Sequence, residues 1–235
     1  MLSFVLEVEM QYLKLPINNF KPTAGYQNEK YADEWHYTHF GTDCVSASKN
    51  RALYGLGNGK VIAAGLDGLN GKTTGDGSGC GYCLIIVYDD VFNHYSGNHY
   101  DITCTYMHMA EMPKVKKGDK VTADTLLGYY GNTGAKTSGS HLHIQFDRDT
   151  KYPLYCQGIS KAGHNLLKKG KIDSTVDPTH ILHIADGQKV TAPTSNWYSA
   201  KDFLNLPKIP ASAESPANAV KTSDGKRVIV IGANK

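Results

Sequence analysis

ITCTYMHMAEMPKVKKGDKVTADTLLGYYGNTGAKTSGSHLHIQF, residues 102–146, breaks into short apolar or alternating runs separated by turn residues. Ile102 to His108 alternates as a strand does, sending successive side chains to opposite faces. Residues 115–134, VKKGDKVTADTLLGYYGNTG, hold two short strands joined by polar turns, and His141 to Phe146 reads as a further strand. The same texture runs back to about residue 53. A Gly-Asn-Gly turn at 57–59 leads into Lys60-Val61-Ile62-Ala63-Ala64, and Cys83-Leu84-Ile85-Ile86-Val87-Tyr88 is a β-branched run suited to a central strand. Residues 69–81 read as a glycine-rich surface loop and 89–101 as a hairpin excursion. Helical signals are sparse: one short helix opening near Asp177-Pro178 and another within Ser199–Leu206.

Composition agrees with a β-rich chain. There are 24 Gly and 15 Tyr against 6 Phe in 235 residues, which suits many turns and half-exposed aromatic strand positions. A hydrophobic content of 40% is enough for a proper core, and no apolar run approaches the length of a membrane span. A net charge of +3 is too mild to point to nucleic acid. The five cysteines are an odd number, and Cys80-Gly-Tyr-Cys83 lacks the second CxxC of a zinc knuckle, so reduced thiols are expected.

The histidines carry the chemistry. In His141-Leu142-His143 the strand period of two puts both imidazoles on one face, beside the polar loop NTGAKTSGS. Such a pair is either two ligands of one metal, or one ligand and one catalytic group. His39-Phe40-Gly41-Thr42-Asp43 places a His and a carboxylate four residues apart around a glycine, a mixture that zinc accepts. His36, and the His143/Asp147 pair, are rival ligands. Tyr106-Met107-His108 adds a histidine near the end of a strand. The string HExxH does not occur, which excludes that class of metalloprotease.

Taken in order, HFGTD, YMH, GNTG and HLH resemble the lysostaphin/LytM-type zinc peptidases, family M23. GKVIAAG (59–65) is similar to that family's GxVxxxG strand, and residues 115–134 to its VxxGxxVxxG…GxTG segment, with Asp124 where glycine is more usual. The resemblance spans roughly residues 23–146. It implies His39, Asp43 and His143 as ligands of one Zn²⁺ per chain, and His108 and His141 as the catalytic histidines. It implies a mainly β fold, an antiparallel sheet forming a groove with long flanking loops and few short helices. The implied substrates are bacterial peptidoglycan peptides. Tyr37 is a candidate for substrate binding, as an oxyanion donor near the first motif.

On this reading the chain divides into an N-terminal segment (1–22), a peptidase domain (23–200, its motif-bearing core 23–146) and a linker with C-terminal tail (201–235). MLSFVLEVEM is either an upstream extension of the reading frame or an N-terminal strand, and is a poor secretory signal because it lacks a basic start. The expected place of action is the cell wall, as a phage lysin, a virion-associated enzyme or a secreted form without its signal. The alternative is a non-catalytic peptidoglycan-binding or regulatory protein on the same fold. Such a protein is expected to lose ligands, whereas all five positions are present here.

Overall fold

The computed structural model describes residues 10–36, 38–67, 79–134, 137–151, 153, 174–192, 201–211, 219–221 and 227–229. In chain order the strands are β1 (Leu13–Lys14), β2 (Phe20–Ala24), β3 (Thr42–Ser46), β4 (Ala52–Tyr54), β5 (Gly59–Asp67), β6 (Gly81–Phe92) and β7 (His99–Met109). They continue with β8 (Lys120–Val121), β9 (Leu126–Tyr129), β10 (Leu142–Asp147), β11 (Thr175–Val176), β12 (Leu182–His183), β13 (Ala219–Lys221) and β14 (Arg227–Ile229). Helices α1 (Glu29–Trp35) and α2 (Lys201–Leu204) are short, and Pro178–His180 is a single 3-10 turn capped by the Asp177 side chain. No described helix is long and apolar enough to cross a membrane.

The main sheet runs β2-β3-β10-β7-β6-β5-β8, with every neighbouring pair antiparallel, and β11 extends the β3 side of β10. The expected hairpin is the β6–β7 connection. There the Asn93 side-chain oxygen accepts from the Tyr95 and Ser96 N–H groups, and Gly97 takes the left-handed conformation that closes the turn. One face of the sheet is apolar: Leu84, Ile86 and Tyr88 of β6, Ile102, Cys104 and Tyr106 of β7, and Leu142, Ile144 and Phe146 of β10 are all buried in one cluster. Burying each such side chain contributes roughly 1.5–3 kcal/mol, so the central strands are held firmly in register.

That cluster also takes in Leu13, Leu15, Ile17 and Phe20 from the N-terminal segment, and Phe203 and Leu206 from beyond residue 200. β2, Phe20–Ala24, runs across position 22. Within the stretch read as linker and tail, β13 and β14 pair with each other in a separate two-stranded sheet. Residues 1–9, read as either an upstream extension or an N-terminal strand, and 68–78, which hold most of the glycine-rich loop expected at 69–81, lie outside the described residues.

Candidate metal centre

The opposite face of β10 carries His141, His143, Gln145 and Asp147. Antiparallel pairing sets His143 directly across from Asp43 of β3, so a residue pair 100 positions apart becomes a cross-strand contact. The chain before β3 brings in His39, which is buried. His39 Nε2 lies 3.1 Å from Asp43 Oδ1 and 3.0 Å from His143 Nδ1, and His143 Nδ1 lies 2.9 Å from Asp43 Oδ1. Among the described residues these three form the one group that could hold a metal ion. His36 is exposed at the C-cap of α1. The Asp147 carboxylate accepts from Ser174 Oγ and the Asp149 N–H. Neither His36 nor Asp147 joins the cluster.

Hydrogen bonding on the far side of each ring makes the cluster suited to a cation. His39 Nδ1 is 2.8 Å from the Gly25 carbonyl, which can only accept, so Nδ1 carries the proton and Nε2 a lone pair. His143 Nε2 faces Gln145 Oε1 at 3.4 Å, which leaves the lone pair on Nδ1. Two imidazole lone pairs and a carboxylate oxygen therefore converge, and only a positive charge among them satisfies all three. Burial opposes charge on His39, but the Asp43 carboxylate and the Gly25 carbonyl raise it above its usual value overall. Burial likewise resists ionisation of Asp43, yet the histidines hold its carboxyl well below the usual range. His143 is lowered, by burial first, despite its bond to Asp43. An N,N,O donor set with one open side is the kind that Zn²⁺ occupies in catalytic sites.

His108 reaches the same face by a break in the strand. In β7, Tyr106 belongs to the core and Met107 to the groove, so strict alternation would point His108 into the core. Instead the β6–β7 register shifts between Tyr82 and Leu84, and His108 adopts φ +61°, in the left-handed region. The bulge adds one residue, turning His108 into the groove and returning Met109 to the core. The His108 and His141 rings are 4.9 Å apart between centroids. Each gives its Nδ1–H to a backbone carbonyl, Thr133 for His108 (2.9 Å) and Gly139 for His141 (2.7 Å), so Nε2 is the nitrogen left for chemistry. Burial, then the charges of His141 and His143, push His108 down to about 3. Burial also works against charge on His141, but Asp43, with its carboxylate oxygen 3.5 Å from Nε2, raises it overall.

Left-handed backbone costs a non-glycine residue roughly 1–2 kcal/mol. His108→Gly is therefore expected to unfold later than His108→Ala, by about 1 kcal/mol in denaturant titrations, with both variants equally impaired in turnover. Equal stabilities would show that the bulge is unstrained.

The five residues line a groove of about 510 Å³. Its walls differ. Tyr31 and Trp35 of α1 stand on one side, and Thr137, Ser138, Gly139 and Ser140 line it from the β9–β10 connection. Tyr31 stacks on His39, with ring centroids 4.5 Å apart, and burial together with the Asp43 charge keeps its phenol protonated as a donor. Tyr37, the tyrosine favoured from the sequence, lies outside the described residues. Sequence reasoning missed Tyr31 because EKYADEW has no apolar stripe and α1 buries no residue. The available signal was Asn28, whose side chain caps the helix by accepting from the Tyr31 N–H.

Comparison with known proteins places the chain. Among solved structures, a zinc-containing peptidase from Vibrio cholerae is 22% identical, with a TM-score of 0.43, covering 58% of this chain. This chain spans only 37% of that protein. The SpoIIQ–SpoIIIAH pore-forming complex is 16% identical, TM-score 0.47, over 77% of this chain and 94% of the other. The catalytic domain of lysostaphin from Staphylococcus simulans is 20% identical, TM-score 0.39, over 68% and 90%. At these levels the likenesses carry no weight for activity. The family model of peptidase family M23 matches residues 37–153, about half of the chain and inclusive of His39, Asp43, His108, His141 and His143. The chain belongs to peptidase family M23.

Proposed function

We propose that this chain is a zinc-dependent endopeptidase that hydrolyses peptide bonds of bacterial peptidoglycan, in a stem peptide or a cross-bridge. The observation that carries the reading is the convergence of three acceptor atoms, 2.9–3.1 Å apart, on the floor of an open groove that two further histidines share. His39, Asp43 and His143 would hold the metal. Bound there, Zn²⁺ supplies Lewis acidity, lowering the pKa of water to roughly 7 and polarising the scissile carbonyl.

The chain's own groups do the rest. His108 and His141 present Nε2 with Nδ1 pinned to the backbone, so each ring is fixed in tautomer and direction before substrate arrives. From there they orient water, carry its proton to the leaving amine, or hydrogen-bond the oxyanion that develops. The Tyr31 hydroxyl is a further donor at the groove wall. A wall built from Ser138, Gly139 and Ser140 suits an extended peptide with small side chains, as peptidoglycan peptides are. Such an enzyme acts on the cell wall, outside the cytoplasm, as a phage lysin, a virion-associated enzyme or a secreted hydrolase.

The test is metal content together with the products of digestion. Purified protein is expected to carry about one zinc per chain and to release new amino termini from purified peptidoglycan, which sequencing of the fragments assigns to a bond. Zinc without turnover on any wall type would favour a binding role, and no zinc at all would sink the ligand assignment.

A further inference from the structure

Thr133 stands where three segments meet. Its hydroxyl donates to the Met109 carbonyl at 2.6 Å and accepts from the Tyr82 N–H at 3.0 Å, so it joins the end of β7 to the start of β6. Its own carbonyl accepts the Nδ1–H of His108 at 2.9 Å. The two ends of the bulge are fixed as well: the His108 N–H donates to the Cys80 carbonyl at 3.0 Å, and the His108 carbonyl accepts from the Gly131 N–H at 2.8 Å.

The packing is too close for side chains on the neighbouring glycines. A Cβ on Gly81 would sit 2.3 Å from the carbonyl and hydroxyl oxygens of Thr133, and one on Gly134 would sit 2.6 Å from the Gly81 nitrogen. Both glycines have positive φ. The 131–134 turn is therefore pressed directly onto residues 80–82, with the Thr133 hydroxyl as the polar link across the contact. A hydroxyl with one proton given and one received has a single orientation here, while the carbonyl of the same residue faces His108 Nδ1.

We propose that Thr133 is the positioning residue for His108: its hydroxyl locks the bulge, and its carbonyl sets the Nδ1–H tautomer and the aim of Nε2. His108 needs such a lock because a left-handed non-glycine residue persists only where its surroundings over-determine it. The role rests on reading His108 as a proton-handling group of the peptidase, yet part of its signature is independent of turnover.

The experiment uses the full chain with zinc added, comparing wild type, Thr133→Ser, Thr133→Val and Thr133→Ala. Long-range ¹H–¹⁵N spectra of the imidazoles report the His108 tautomer, with His108→Ala providing the assignment. Peptidoglycan hydrolysis gives kcat and KM. Wild type and Thr133→Ser are expected to show the Nδ1–H form and similar kcat. Thr133→Val, which keeps the shape and removes the hydroxyl, is expected to show a mixture of tautomers and to lose about 10²-fold in kcat, with KM and zinc content unchanged. Thr133→Ala leaves space where Val could strain the fold, and the same loss is expected from it. A wild-type tautomer and kcat in both hydroxyl-free variants would overturn the proposal. So would a loss confined to thermal stability, or no rescue by serine. If the wild type is inert on every substrate while the tautomer still follows the hydroxyl, the peptidase reading fails and the positioning role stands.

Discussion

His143→Ala is expected to lose zinc and turnover together, whereas His108→Ala keeps zinc and loses turnover alone. The two residues lie on one face of adjacent strands, with ring centroids 6.2 Å apart, and both are buried. Their partners separate them. His143 Nδ1 meets His39 and Asp43 within 3.0 Å, so its removal takes away one of three donors and leaves a buried carboxylate with fewer partners. His108 makes no contact with those donor atoms; its bond is to the Thr133 carbonyl. On the proposed role of His108 as a proton-handling group, whose deletion costs about 10²–10⁴-fold in rate, kcat of His108→Ala is expected to fall in that range at near-normal KM. Metal analysis after dialysis, read beside peptidoglycan hydrolysis, distinguishes the two. If both variants lose zinc, His108 is a ligand and the centre is a closed structural site. If both retain it, His143 is not a ligand.

The fold was legible because its central strands announce themselves locally. The run from Cys83 to Tyr88 and the alternation from Ile102 onward fall inside β6 and β7, and the strand read at His141 to Phe146 is β10, Leu142–Asp147. The candidate site residues were singled out for a different reason: HFGTD, YMH and HLH each say little alone, and only their succession along the chain resembles a metal site. What could not be read was how they meet. The Asp43–His143 register is a pairing across 100 residues, set by the whole sheet and by no local signal. The bulge at His108 contradicts the alternation from which β7 was inferred, since nothing in TYMHM marks a left-handed residue. Helix α1 is short, buries no residue and is held by its cap, so hydrophobic periodicity is blind to it, although it supplies Tyr31 and Trp35 to the groove. Local rules thus failed where the chain is shaped for the site, as expected when function is bought at the expense of local consistency.

Gly41→Ala is expected to disable the centre without touching a single candidate ligand. A Cβ at position 41 would lie 2.5 Å from the Ile144 carbonyl oxygen and 2.6 Å from His143 Nε2. The first obstacle is backbone of β10 and cannot swing aside. The second is the imidazole that offers its other nitrogen to Asp43. Relief therefore requires β3 to move off β10, or His143 to turn, and either motion spreads donor atoms now about 3 Å apart. Overpacking of this kind costs about 1–3 kcal/mol in stability. Displacing ligand orientation weakens metal affinity by roughly 10–100-fold, and turnover at limiting zinc falls at least as far. Gly65→Ala is the control, because the same methyl on β5 meets nothing within 4 Å; its stability is expected within about 0.5 kcal/mol of wild type with zinc affinity unchanged. Zinc titration against a competing chelator, with unfolding curves for both variants, checks the pair. Normal zinc affinity in Gly41→Ala would mean that the strands yield without disturbing the donors, and that the close approach of Gly41 to His143 serves packing alone. Zinc lost in that variant and kept in Gly65→Ala would instead tie metal affinity to the spacing between β3 and β10, and so account for a glycine between His39 and Asp43.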